Sequence, residues 1–183
     1  MLEGDAETPT RMVGAKKVPI LEKEDGSHMP ESMDIVRYLE EQNPPAKLTA
    51  PDDSVIEEWL GAHSQAIFEL SVPRFTRADF PELATPEARD YYTKRMADAF
   101  GDLDALIAET PERLEALKPA LDALEARLAE RPEDTLGMTD IRLLPVLRCL
   151  TIVKGLELGP ATAAYVERVA AASKVPNLFD RAI

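Results

Sequence analysis

The sequence of 183 residues contains a single cysteine, Cys149, and no long hydrophobic run. One cysteine excludes an internal disulfide and any Cys-x-x-Cys pair, and it fits a reducing compartment. The longest apolar stretches span a few residues, whereas a membrane helix needs about 20. The first ten residues, MLEGDAETPT, are acidic and lack the apolar segment of a signal peptide. We therefore expect a cytoplasmic protein with no membrane partner.

Basic residues are scarce relative to acidic ones. The chain has 21 Lys and Arg against 34 Asp and Glu, a net charge of −13. Such a surface repels phosphate backbones, so nucleic acid is not an expected partner. The two histidines, His28 and His63, lack metal-ligand spacing, and we predict no metal site. With 45% apolar and 30% charged residues, the composition is that of a soluble globular protein.

Prolines divide the chain into two parts. Pro44, Pro45 and Pro51 lie in a short polar stretch, which predicts a linker over residues 45–53. It separates an N-terminal unit, residues 1–44, from a second domain, residues 54–183, in which almost every segment has helical period. The N-terminal unit is mixed and contains two strands. The predicted fold class is therefore α+β and mostly α, with a small strand-containing unit followed by an all-helical domain.

The most informative stretch is residues 13–38. A short apolar run from Val18 to Leu21, a turn at Asp25-Gly26 and an amphipathic segment after Glu31-Ser32 predict strand, two-residue turn, strand and helix. The first N–H groups of a helix lack internal partners and attract anions. A carboxylate beside such a helix start suits a ligand with an ammonium and a carboxylate, such as a free amino-acid end. The alternative is an ordinary helix cap.

An isolated two-stranded hairpin is marginally stable in water, and its outer edges expose unpaired backbone groups. The N-terminal unit is therefore expected to be part of a domain whose other strands are not among these residues. We also expect its free edge to make the chain prone to association.

Six segments resemble, in the same order, the glutaredoxin 2 family, whose members have a glutathione-transferase-like build: DAETPTRMVGAKKVPILEK, MPESMDIVRYLE, SVIEEWL, VPRF, ATPEARDYY and LLPVLRCLTIVKGL. The resemblance runs from about Asp5 to Ile183. It implies a thioredoxin-like N-terminal domain and a helical glutathione-transferase-type C-terminal domain. It also implies glutathione as co-substrate, and glutathione-dependent reduction of protein disulfides and glutathionylated proteins.

The resemblance also implies a glutathione site. The residue matching Val18 would pair its backbone with the cysteine of glutathione, and Pro19 would follow a cis peptide bond. Glu31 and Ser32 would receive the ammonium and carboxylate of the γ-glutamyl end. Lys16 and Lys17 could both approach the glycine carboxylate, and Lys17 is favoured because it is closer to Val18. From the residues alone, Pro19 could instead begin an edge strand, and Lys17 could be a solvated surface charge.

The chain departs from the family in one respect. The family begins with a strand, a C-P-Y-C motif, a helix and a second strand, and only then reaches the segment that starts this sequence. We therefore expect a chain truncated at its N-terminus and without a catalytic residue, because disulfide exchange requires a thiolate. Cys149 lies in an apolar helix and is not a replacement nucleophile. Glutathione binding is expected to be weak or undetectable.

Two other functions are compatible with the sequence. One is a non-catalytic glutathione-transferase-like binding or interaction module. The other, which is weaker, is a transferase that activates glutathione with a Ser or Tyr hydroxyl.

Overall fold

Helices make up most of the chain in the computed structural model, which describes residues 1–183. Eight α-helices, four short strands and two 3-10 turns follow one another along the chain. The helices are α1 (Glu7–Val13), α2 (Ser32–Gln42), α3 (Ser54–Phe75), α4 (Pro86–Phe100), α5 (Leu103–Ala108), α6 (Thr110–Ala129), α7 (Met138–Leu150) and α8 (Pro160–Ser173). The strands are β1 (Ile20–Glu22), β2 (His28–Pro30), β3 (Leu48–Ala50) and β4 (Leu136–Gly137), and the 3-10 turns are Pro81–Leu83 and Phe179–Arg181.

The N-terminal unit contains the predicted hairpin and helices. β1 and β2 pair antiparallel, with Ile20 opposite Pro30. The predicted two-residue turn is wrong: a five-residue loop, residues 23–27, joins the strands. It is closed by a hydrogen bond from the Lys23 N–H to the Ser27 carbonyl, 2.9 Å away. β1 also begins at Ile20, two residues later than predicted. The Val18–Pro19 segment is therefore left outside the ladder.

The C-terminal helices enclose the main core. α3, α6, α7 and α8 pack together, and the Trp59 indole donates a hydrogen bond to the Ala120 carbonyl, 2.8 Å away, which fixes α3 against α6. Pro119 and Pro145 lie inside α6 and α7 without ending them. None of the helices is long and apolar enough to cross a membrane. Eight aliphatic side chains in these helices are essentially fully buried: Ile56, Ile67, Leu70, Leu124, Leu143, Leu147, Leu150 and Val166.

Two features of this region differ from the prediction. The stretch predicted as a linker contains β3, which pairs parallel with β4, so that Leu48 lies opposite Leu136. The apolar spacing from Tyr91 to Ile107 predicts one long helix after Thr85, but Gly101 has a φ of 82° and ends α4 before α5 begins at Leu103. A positive φ favours glycine, which explains the break.

Burial is distributed very unevenly. Among residues 1–52 only Pro9 is buried, and α2 has no buried residue although its sequence is amphipathic. The helical bundle holds nearly all of the 40 buried residues of the chain. Nearly every residue of the N-terminal unit is consequently at least partly exposed to solvent and can contact a ligand or another molecule.

Candidate functional site

The hairpin brings the two halves of the predicted site together. Because Ile20 is opposite Pro30, the residues just outside the ladder, Val18–Pro19 on one side and Glu31–Ser32 on the other, lie next to each other. The Val18–Pro19 peptide bond is cis, as the family resemblance implies. Val18 is 63% exposed, and its backbone N–H and C=O form no hydrogen bond within the chain. They can therefore pair with an extended peptide.

The start of α2 forms the second half. Ser32 is the first helical residue, and the first N–H that bonds into the helix is that of Ile35, 3.0 Å from the Glu31 carbonyl. No side chain caps this end, so the N–H groups of Ser32, Met33 and Asp34 have no partner within the chain. Unbonded N–H groups at a helix start favour an anion such as a carboxylate.

Glu31 has an unusual backbone. Its φ of 78° and ψ of 107° lie outside the regions that residues with a Cβ normally adopt. Such a conformation costs on the order of 1–3 kcal/mol and tends to occur at functional sites. Nothing in the sequence indicated this strain, because Glu31 resembles an ordinary residue before a helix.

Lys17 and Glu31 form an exposed ion pair. The Lys17 Nζ atom lies 2.9 Å from Glu31 Oε1, and more than half of each side chain is in contact with solvent. The hydrogen bond to Glu31 raises the pKa of Lys17. Glu31 is thus positioned to accept an ammonium group, which here is supplied by Lys17. Three of the predicted residues, Lys17, Glu31 and Ser32, are close together.

Lys16, next to Lys17, contacts a residue that the sequence did not single out for this site. Its Nζ donates to the Tyr91 hydroxyl, 3.0 Å away, and lies 4.2 Å from the centre of the Tyr91 ring. Tyr91 belongs to α4, so the contact joins the N-terminal unit to the bundle. A contact between residues 75 positions apart leaves no periodic signal in the sequence.

The thiol of Cys149 lies elsewhere. It sits half-buried on α7, and burial raises its pKa to about 11. A thiol is nucleophilic only as the thiolate, which is a very small fraction at neutral pH for such a pKa. Side chains of His, Cys, Asp and Glu nowhere form a group of three or more that could hold a metal ion.

These features define a class of protein. A small hairpin-and-helix unit with a cis proline beside a helix start, followed by an all-helical bundle, is the build of glutathione-transferase-like proteins. Residues 3–47 match the family profile of the glutathione S-transferase N-terminal domain. Residues 55–182 match that of the glutaredoxin 2 C-terminal domain. The chain belongs to the glutaredoxin 2 family.

Individual relatives support the same assignment. The chain is 38% identical over 186 aligned positions to glutaredoxin 2 of Escherichia coli strain K12, covering all of this chain and 86% of the relative. Glutaredoxin 2 of Escherichia coli O157:H7 gives the same values. Among solved structures, glutaredoxin 2 from Salmonella typhimurium in complex with glutathione superposes with a TM-score of 0.93 at 34% identity. That match covers 100% of this chain and 85% of the other.

Proposed function

We propose that this chain holds the γ-glutamyl end of glutathione and that it provides the glutathione-binding part of a disulfide oxidoreductase of the glutaredoxin 2 type. The observation that carries the proposal is the hairpin register, which sets the unpaired backbone of Val18 beside the uncapped start of α2. The Salmonella relative was solved with glutathione, which supports the same ligand. By family, the partners are protein disulfides and glutathionylated proteins in the cytoplasm.

Each site residue has a distinct role in this proposal. The Val18 backbone pairs with the cysteine of glutathione, and Pro19 shapes the segment that follows. Glu31 accepts the γ-glutamyl ammonium, while the hydroxyl and N–H of Ser32 donate to its carboxylate. Because all four residues lie at an open surface, we expect a dissociation constant on the order of 1 mM, which corresponds to about 4 kcal/mol of binding free energy.

An NMR titration tests this binding. Glutathione added to 10 mM is expected to shift the amide resonances of Ser32 and Met33, which are the unbonded donors at the start of α2. The dipeptide Cys-Gly is the matched control, because it lacks the γ-glutamyl group and should leave these amides unmoved. Equal shifts with both compounds, or none with glutathione, would contradict the proposal.

Lys17 has two effects on binding in this scheme. Its ammonium occupies the position at Glu31 that the ligand's ammonium needs, and its flexible stem can turn to the glycine carboxylate once the ligand binds. We predict that Lys17→Met strengthens binding of γ-glutamylcysteine, which has no glycine, by up to about 5-fold, the range of an exposed ion pair. Glutathione should lose its advantage over γ-glutamylcysteine in the same variant.

Lys17→Arg is the control for this prediction, since it keeps the positive charge and should preserve the preference for glutathione. If Lys17→Met leaves the ratio of the two affinities unchanged, Lys17 does not contact the glycine carboxylate.

The 183-residue chain is expected to show no glutathione-dependent disulfide reductase activity, because Cys149 is its only thiol. A pKa of about 11 means that roughly one thiol in 10,000 is ionised at pH 7. Iodoacetamide should therefore modify Cys149 at least about 100-fold more slowly in the folded chain than in 6 M guanidinium chloride. Turnover above that of a heat-inactivated sample, lost in Cys149→Ser, would show that this thiol does act.

A second candidate function is a non-catalytic interaction module. The observation that favours it is the amphipathic helix α2, in which Leu39 is 42% exposed and no residue is buried. The glutathione titration distinguishes this function from glutathione binding, since a module without a ligand site would show no shifts of the Ser32 and Met33 amide resonances.

A further inference from the structure

Two consecutive lysines in the segment before Val18 bind different parts of the molecule. Residues 15–19 are called the ligand loop below. Lys17 pairs with Glu31 inside the N-terminal unit, whereas Lys16 extends to Tyr91 on α4. The Lys16 ammonium both donates to the Tyr91 hydroxyl and lies over the face of its ring. Tyr91 thereby connects the ligand loop to the helical bundle.

Tyr91 contacts the N-terminal unit at a second place. A Cβ added to Gly4 would lie 3.4 Å from the Tyr91 Cγ atom, so the backbone at residue 4 packs directly on the ring. One turn further along α4, Arg95 forms an ion pair of 2.9 Å with Glu3. The first residues and the ligand loop are thus both held by the same helix, with Tyr91 between them.

The contact between Lys16 and Tyr91 is one of the few that fix the position of the ligand loop. Only Pro9 is buried among residues 1–52, so few apolar contacts fix the position of the loop. The pKa of Tyr91 is lowered, chiefly by the Lys16 hydrogen bond and charge. The geometry agrees, since the hydroxyl accepts the hydrogen bond from the Lys16 ammonium.

We propose that Tyr91 is a positioning residue for ligand binding, which, through Lys16, holds the ligand loop in the conformation that receives the γ-glutamyl peptide. This inference rests on the proposed function. It adds that ligand affinity depends on docking of the N-terminal unit against α4, through a residue that need not touch the ligand.

A double-mutant cycle tests the proposal, with glutathione as the probe and the Ser32 amide shift as the readout. Lys16→Met and Tyr91→Leu should each weaken binding about 5-fold, the scale of one cation–π contact with its hydrogen bond. The double variant should be no weaker than either single variant, because both remove the same interaction. Lys16→Arg should restore affinity to within about 2-fold of the unmodified chain, a result that a merely structural effect of Lys16→Met would not give.

Lys23→Met is the matched control. Lys23 also places its ammonium over a tyrosine ring, 5.0 Å from the centre of Tyr38, but both residues belong to the N-terminal unit. This variant should bind glutathione like the unmodified chain. Equal weakening of binding by Lys23→Met would overturn the proposal. So would a double variant whose loss of affinity is the product of the two single losses.

If the unmodified chain binds glutathione and Tyr91→Leu binds it with the same affinity, only this inference fails. If the unmodified chain does not bind glutathione, the proposed function fails as well.

Discussion

Replacing Asp140 with alanine is expected to lower the free energy of unfolding by about 3–5 kcal/mol, the cost of breaking a buried ion pair by removing one partner. Asp140 is 2% exposed at the start of α7. Its carboxylate accepts hydrogen bonds from Arg131 at 2.9 and 3.2 Å, from the Tyr165 hydroxyl at 2.9 Å and from the Gly137 N–H at 2.7 Å. Alanine would leave all these donors without an acceptor in the interior.

Urea unfolding followed by circular dichroism measures this loss. Asp134→Ala is the control, because Asp134 is exposed on the preceding loop and should change stability by no more than about 0.5 kcal/mol. A loss below about 1 kcal/mol for Asp140→Ala would mean that Arg131 and Tyr165 find other acceptors or water.

Gly137→Ser is expected to destabilise the protein by about 1–3 kcal/mol, the usual cost of overpacking, although serine is a better helix cap than glycine. Gly137 precedes α7 with an extended backbone that any residue can adopt, so conformation does not exclude serine. The obstacle is steric. A Cβ at residue 137 would lie 2.6 Å from the Ala50 carbonyl oxygen, because β3 and β4 pair at this point.

Gly61→Ser provides the matched control for this prediction. It introduces the same side chain within α3, where nothing apart from the helix's own backbone and the neighbouring residues lies within 4 Å of the added Cβ. Serine has a higher helix propensity than glycine, so this variant should be more stable by a few tenths of a kcal/mol. If Gly137→Ser is as stable as the unmodified chain, β3 must shift away at little cost.

Local signals predicted the helix boundaries that depend on nearby residues. A glycine at position 14, the Thr85-Pro86 pair and the amphipathic segment after Glu31-Ser32 are such signals. In the structure Gly14 ends α1, Thr85 caps α4 and α2 begins at Ser32. The cap of α8, in contrast, does not come from nearby residues. Gly159 precedes this helix and has no side chain, and the N–H groups of Ala161 and Thr162 donate instead to Glu125 of α6. A cap supplied by another helix cannot be read from local sequence.

The candidate site likewise combines features set by neighbouring residues with features set by residues far apart in the sequence. Glu31 and Ser32 could be proposed from a turn, a carboxylate and a helix start in one short stretch. The partners of the two lysines could not, because Lys17–Glu31 depends on hairpin register and Lys16–Tyr91 on the packing of the unit against α4. The pairing of β3 with β4 was missed for a similar reason. Two- and three-residue strands nearly 90 positions apart are too short for periodicity to reveal.

The nearly coreless N-terminal unit has a consequence for how stability and binding relate. The free energy measured by global unfolding belongs to the helical bundle, which contains almost all of the buried residues. The residues proposed to hold glutathione lie in a part of the chain that is expected to open locally at far lower cost. A substitution in the buried core of the bundle, away from Tyr91, is thus expected to shift the melting temperature without altering ligand affinity. Conversely, a ligand at Val18 and Ser32 can order its own site while leaving the melting temperature unchanged.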